Sequence, residues 1–160
     1  EERYELLDGT LYEKMPQSDA HDSLVTFLMD ALREVFGKGH IAKSAQPIHL
    51  DDGSEPEPDV SLLRGTRRDF LGRKARREDI VLLVEIAHST RDYDLGEKLS
   101  AYARGGIEEY WVLDVRDRVL LVHTEPSADG AYASVKAYRG DDPVPHVGEP
   151  VGALLDDALR

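Results

Sequence analysis

The chain has 160 residues, 41% of them hydrophobic and 32% charged, values that are typical of one globular domain with a substantial core. It contains no cysteine, which excludes disulfide bonds, thiolate nucleophiles and cysteine-ligated zinc. The formal net charge of −12 disfavours non-specific binding to nucleic acid, so a nucleic-acid-binding site would need a local concentration of positive charge.

The first part of the chain predicts a hairpin, a helix and two further strands. Asp8-Gly9 between two short segments is a strong signal for a two-residue hairpin turn. Ser18 or Asp19 can cap the helix, which carries an apolar stripe and ends at Gly37. The predicted elements are Tyr4–Leu7, Thr10–Met15, Ser18–Phe36, Ile41–Leu50 and Pro58–Leu63.

The centre of the chain predicts a strand, a helix and a second strand. Ile80–Ile86 is apolar throughout except for Glu85, which is typical of a strand buried on both faces. Apolar residues recur at helical spacing between positions 95 and 102, and Gly105-Gly106 ends the helix. With Glu109–Val115 as the second strand, the unit predicts two parallel neighbouring strands joined by a right-handed crossover.

The last part of the chain predicts a peripheral hairpin and a closing helix. The predicted strands are Val119–His123 and Tyr132–Tyr138, and the helix is Val151–Leu159. A peripheral hairpin leaves an uncovered strand edge, and a two-fold dimer is the commonest protein assembly. These strands are therefore the candidate interface of a homodimer.

Three residues in the predicted elements form a chemically coherent set. Asp59 stands at the start of a strand, Glu85 inside the next strand and Lys98 on the helix that follows. An acid inside an apolar strand loses hydration unless a partner compensates, and a metal ion is one such partner. Two carboxylates on neighbouring strands can share Mg²⁺ or Mn²⁺, which orients a phosphodiester and activates water. A lysine beside them can orient the water or neutralise developing charge.

Three segments also carry a resemblance to a known family: YELLDGTLYEKMP (4–16), EPDVSLL (57–63) and VEIAHSTRDYDLGEKLSAYARGGIEEYW (84–111). In this order they are similar to the Uma2 family of bacterial endonucleases, which resembles a branch of the PD-(D/E)XK restriction-endonuclease-like superfamily. The resemblance covers most of the chain, and the long third segment is the most specific. It implies an α/β (α+β) fold, a restriction-endonuclease-like core whose central mixed β-sheet is flanked by helices.

The resemblance also implies roles for individual residues. Asp59 corresponds to the first acid of the motif and Glu85 to the second. The usual lysine of the superfamily would stand at Ala87, so the chain departs from the general pattern there, and the family resemblance places the lysine on the helix, at Lys98. The main-chain carbonyl of Ile86 is a further candidate metal ligand. The accessory candidates are Glu5, His21, Gln46 and Tyr102.

Lys98 and the basic segment each have a second interpretation. Asp94 lies four residues before Lys98, which is the spacing of a helix-surface ion pair. The segment Arg64–Arg77 contains seven basic side chains and one acid, a net charge of +6, and could hold phosphates beside the acidic site. It could equally be a solvated loop that keeps an acidic protein soluble. The candidate nucleic-acid-binding residues in it are Arg73, Lys74, Arg76 and Arg77.

The sequence therefore predicts a single domain, residues 1–160, that acts as a metal-dependent nuclease, with DNA favoured over RNA as its partner. One alternative is a catalytically inactive module on the same fold that binds nucleic acid or protein, which Ala87 and the acidic net charge favour. Another is a metal-dependent hydrolase of a different substrate. No apolar run is long enough to span a bilayer and no signal peptide is visible, so we expect a cytoplasmic protein without membrane partners.

Overall fold

The computed structural model describes residues 3–160, and these contain ten strands and four helices. The strands are β1 (Arg3–Leu7), β2 (Thr10–Lys14), β3 (His40–Ser44), β4 (Ile48–His49), β5 (Val60–Arg64), β6 (Ala75–Arg76), β7 (Ile80–Ala87), β8 (Glu109–Asp114), β9 (Val119–Pro126) and β10 (Tyr132–Arg139). The helices are α1 (Asp19–Phe36), α2 (Arg91–Leu95), α3 (Glu97–Arg104) and α4 (Val151–Ala158).

Six of these strands form one mixed sheet in the order β10-β9-β8-β7-β5-β3. β7 and β8 are parallel, as predicted, and the other neighbours in the sheet are antiparallel. β10 and β3 are therefore the edge strands, and β7 lies inside the sheet with both of its neighbours paired. The predicted fold class, a central mixed sheet flanked by helices, is confirmed.

Helices cover both faces of the sheet. Alternate side chains of each strand point to opposite faces, so the apolar strand β7 has side chains to bury on both of them. α1 and α4 pack on one face, where Leu28 and Leu154 share a core with Val84 of β7. α3 packs on the other face, where Tyr102 shares a core with Leu83 of β7. By the same alternation, Glu85 points to the α3 face. No helix within residues 3–160 combines the length and apolarity needed to cross a membrane.

One predicted strand differs from the observed elements, and the basic segment has irregular structure. Residues 41–50 form two strands instead of one, because Ala45 adopts a left-handed conformation (φ 49°) and Pro47 has no N–H to donate to a ladder. Residues 64–79 contain two 3₁₀ turns and the short strand β6, which pairs in parallel with β4. The other strands and the outer helices lie where they were predicted, with ends that differ by at most three residues.

The predicted crossover helix is broken at Gly96 into α2 and α3. A Cβ atom at this position would lie 2.6 Å from the carbonyl oxygen of Asp92, which is too close for any residue other than glycine. The break removes the regular helical relation between Asp94 and Lys98 on which the surface ion pair depended. Both side chains are buried in the structure.

Candidate active site

The register of β5 against β7 brings the two predicted acids together. Val60 pairs with Val84, so the next positions along the two antiparallel strands place Asp59 opposite Glu85. Both residues stand on the α3 face of the sheet. Their side chains, with Lys98, line a cavity of about 270 Å³ that opens between the β1–β2 hairpin, the start of α1 and the helices α2 and α3.

Asp59 is held at the point where the pairing of β5 with β7 ends. The main-chain N–H of Ile86 donates to its Oδ2 over 2.7 Å, and Nε2 of His21 lies 3.2 Å from its Oδ1. Gln17 also donates to Oδ1 over 3.3 Å. Burial raises the pKa of Asp59, but the hydrogen bond and charge of His21 and the Ile86 N–H outweigh burial and lower the pKa to about 2. Asp59 is therefore an anion at neutral pH.

Lys98 reaches the acidic site although it lies on α3. Its Nζ is 2.8 Å from Glu85 and 2.8 Å from Glu5, and the side chain is only 2% exposed. Burial alone lowers the pKa of Lys98, but the charges of Glu85 and Glu5 outweigh it and raise the pKa well above its ordinary value. The ammonium stays charged at neutral pH, and the surface ion pair with Asp94 is not the arrangement that the chain adopts.

The β1–β2 hairpin supplies the second acid that holds this lysine. Glu5 lies on β1, and its carboxylate accepts a hydrogen bond of 3.0 Å from the main-chain N–H of Glu57, next to the start of β5. The same carboxylate contacts Lys98 through both oxygens, at 2.8 and 3.2 Å. Glu5 therefore links the hairpin, the segment before β5 and α3 at one point.

Glu85 is as deeply buried as any acid of the site, with 3% of its surface exposed. The hydroxyl of Tyr102 donates to its Oε1 over 3.0 Å, and Lys98 contacts the same oxygen. Burial raises the pKa of Glu85 well above its ordinary value; Lys98 opposes this rise, and the charges of Asp59 and Asp94 add to it. In a protein without a bound cation, Glu85 therefore binds a proton more readily than an exposed glutamate does.

The cavity as a whole carries an excess of negative charge. Four acids that line it are at most 6% exposed: Glu5, Asp59, Glu85 and Asp94. Lys98 is the lysine that is buried among these acids. Burial and the neighbouring acids raise the pKa of Asp94 to about 6. A divalent cation would relieve this repulsion, because its charge offsets that of the surplus carboxylates.

The other predicted site residues fall into three groups. Ile86, His21 and Tyr102 are in or next to this cavity, as described above. Gln46, Arg73 and Lys74 instead line a separate, smaller cavity. Arg76 and Arg77 are exposed on the outside of the protein.

Several residues of the cavity were not predicted from the sequence, among them Lys14 and Gln17. Lys14 on β2 lines the cavity and donates to the main-chain carbonyl of Glu57 over 2.8 Å, and Gln17 contacts Asp59. Lys14 is the last residue of the hairpin, and Gln17 lies between the hairpin and α1. A lysine and a glutamine in such positions carry no local pattern that distinguishes them from surface residues, so only the folded arrangement identifies them.

The mixed sheet with helices on both faces has the fold of the restriction-endonuclease-like class, with Asp59 just before β5 and Glu85 in β7 next to each other. A solved structure from Anabaena variabilis, described as a "putative nuclease belonging to DUF820", has a similar fold, with a TM-score of 0.72 and 16% sequence identity. The match covers 97% of this chain and 90% of that one. At this level of identity the likeness establishes the fold.

The family model of Uma2, described as "Putative restriction endonuclease", matches residues 1–153. The chain therefore belongs to the Uma2 family, and the resemblance seen in the sequence is confirmed. No curated protein matches the chain.

Proposed function

We propose that this protein is a metal-dependent nuclease that hydrolyses phosphodiester bonds, in DNA rather than RNA. The observation that carries the proposal is the position of Lys98, whose Nζ lies 2.8 Å from Glu85 in the cavity that Asp59 also lines. The cation missing at Ala87 is thus supplied from α3. Burying a lysine among acids has a large desolvation cost, which chemistry at the site would explain better than packing.

The donor set fits a hard divalent cation. Asp59, Glu85 and the main-chain carbonyl of Ile86 would hold Mg²⁺ or Mn²⁺, because these ions prefer oxygen ligands and keep several water positions. Within residues 3–160 no cluster of three or more His, Cys, Asp or Glu side chains could hold a metal ion, so the protein would contribute few side-chain ligands. When bound, the ion would activate a water molecule and stabilise charge on the phosphoryl oxygens.

The contacts of the protein side chains indicate their roles. Lys98 stays protonated at neutral pH, so it cannot accept a proton from water; it would orient the water or stabilise negative charge on the phosphate. Tyr102 and Glu5 hold Lys98 and Glu85 in place through the hydrogen bonds described above. His21 holds the carboxylate of Asp59.

The direct test is cleavage of end-labelled DNA and RNA by the wild-type protein. We expect the wild-type protein to cleave DNA in the presence of Mn²⁺ or Mg²⁺ and not in the presence of a chelator. The variant Glu85→Gln, purified in the same way, should be inactive, which excludes a contaminating nuclease as the source of the cleavage. Binding of nucleic acid without cleavage under any metal condition would favour the inactive binding module. Neither binding nor cleavage would favour a hydrolase of another substrate.

A second test concerns the basic segment. All four side chains are exposed, and two of them have carboxylate partners: Arg73 is paired with Asp79 at 2.8 Å and Lys74 with Glu55 at 3.0 Å. If these four cations contact phosphates, replacing all of them by glutamine should weaken DNA binding and reduce the salt slope by up to about four. Fluorescence anisotropy in Ca²⁺ over a series of salt concentrations measures both quantities.

The control for this test removes positive charge from the opposite edge of the sheet, at Lys136 and Arg139 on β10. These changes should leave the salt slope unchanged. An unchanged slope in the four-residue variant as well would assign the basic segment to the solvated surface.

A further inference from the structure

A second cavity, of about 70 Å³, lies beside β5 and differs in charge from the acidic cavity. Three cations line it, Lys43, Arg73 and Lys74, together with the polar residues Gln46 and Ser61. Among the described residues that line it, none is acidic, although the chain carries a net charge of −12. A concentration of positive charge on an acidic protein indicates an anionic ligand.

Ser61 gives the second observation. Its side chain is only 1% exposed, and Oγ has no hydrogen-bond partner among residues 3–160. A buried hydroxyl without a partner is destabilising, so it needs an explanation, and a bound ion is one. Ser61 lies two residues after Asp59 on the same face of the sheet, a separation of about 7 Å in an extended strand.

The three cations are held in place by the residues around them. Nζ of Lys43 lies 5.0 Å from the centre of the Phe70 ring, and the guanidinium of Arg73 lies 4.7 Å from the same ring. Arg73 and Lys74 also have the carboxylate partners described above. Lys43 has no carboxylate within ion-pair distance in the described part of the chain, so its charge is available to a ligand.

We propose that this cavity binds a tetrahedral oxyanion, a backbone phosphate of the nucleic acid one or two nucleotides from the cleaved bond. The assignment to nucleic acid rests on the proposed function. The cavity volume of about 70 Å³ suits a phosphate group of five heavy atoms, since it is several times the roughly 10–15 Å³ that a single water molecule needs. The 7 Å between the positions of Asp59 and Ser61 corresponds to the axial rise of about two nucleotides in a helical strand, at about 3.4 Å each.

The site itself is tested without turnover, by NMR titration of the metal-free protein with inorganic phosphate at constant ionic strength. We expect saturable shifts at the amides of Ser61, Gln46 and Ala75. Lys43→Gln should weaken binding about tenfold. Ser61→Ala should also weaken it while thermal stability is kept or raised, because an unpaired hydroxyl is removed. Lys38→Gln, which removes a lysine from an exposed turn, should leave binding unchanged.

Two results would overturn the site: no saturable shifts at these amides in the wild type, or equal weakening by Lys38→Gln. A short single-stranded DNA then distinguishes a backbone phosphate from free phosphate. The backbone assignment is supported if the DNA displaces inorganic phosphate from the cavity. It also requires that Lys43→Gln raises the KM for DNA while kcat changes little. Phosphate binding that DNA does not displace would refute it.

The two proposals fail in different ways. If DNA displaces phosphate from the cavity but is not cleaved, the phosphate subsite stands and the nuclease proposal fails. If DNA is cleaved while the amides around Ser61 are unaffected by it, the nuclease proposal stands and the subsite fails.

Discussion

Replacing Lys98 by methionine is expected to reduce Mn²⁺-dependent cleavage by roughly 10²–10³-fold, the effect typical of losing one preorganised charge-stabilising group. The reason is that Lys98 is the cation placed 2.8 Å from Glu85, and Ala87 offers no substitute. Single-turnover kinetics measure the chemical step directly. Substrate affinity should change far less than the rate, because the ammonium acts on the reacting group.

The same change should lower stability, because it leaves Glu5 and Glu85 buried without their shared partner. Breaking a buried ion pair in this way costs about 3–5 kcal/mol. A loss of turnover caused by unfolding is excluded with the double variant Glu5→Gln/Lys98→Met, which removes one of the two stranded charges. We expect it to regain stability in thermal unfolding without regaining cleavage.

Two outcomes would contradict the role of Lys98. Equal cleavage by the wild type and Lys98→Met would show that the chemistry does not use this lysine. Recovery of cleavage together with stability in the double variant would assign Lys98 to structural support alone.

Replacing Asp59 by asparagine is expected to weaken Mn²⁺ binding by more than roughly 100-fold. Losing a residue that only supports a metal ligand weakens metal binding by roughly 10–100-fold, and Asp59 is proposed to contact the ion itself. Asp59 is ionised at neutral pH and stands opposite Glu85, so its loss removes one of the two carboxylates of the proposed donor set. Calorimetric Mn²⁺ titration measures the change. Asp92→Asn, which neutralises an exposed acid on α2, is the matched control and should bind Mn²⁺ as the wild type does.

The asparagine variant should also be less stable than the wild type at neutral pH. The folded-state pKa of Asp59 is about 2, below its ordinary value of 3.8, so its ionised form contributes about 2 kcal/mol of stability above pH 3.8. This contribution is lost as the pH falls through about 2. Urea unfolding at pH 7 measures it, and unchanged Mn²⁺ affinity in Asp59→Asn would refute the metal site whatever the stability.

Much of the site could be predicted because the relevant signals are local in sequence. Glu85 interrupts an apolar strand, and this is visible without any knowledge of the fold. The parallel pairing of β7 with β8 follows from two strands separated by a helical segment. Family resemblance then related Asp59, Glu85 and Lys98 to one another.

The partners of these residues could not be predicted, because they come from distant parts of the chain. Glu5 and Lys98 are 93 residues apart, and no periodicity connects a hairpin strand with a helix across that separation. The spacing of Asp94 and Lys98 favoured a surface pair, but the break at Gly96 places both residues in the interior. Nothing in the sequence indicated that Arg73 and Lys74 line a cavity whereas Arg76 and Arg77 do not.

Hydrophobic periodicity and turn residues act over a few neighbouring positions, so they predicted the order of most elements and the acid inside the β7 segment. The fold class and the pairing of Asp59 with Glu85 were predicted from the resemblance to the Uma2 family. The inward direction of Lys98, its contact with Glu5 and the position of Ser61 beside a basic cavity are seen only in the folded structure. These facts depend on the register of β5 against β7 and on how the hairpin and α3 pack against the sheet. Such packing is set by burial and charge compensation across the whole chain, and no local segment specifies it.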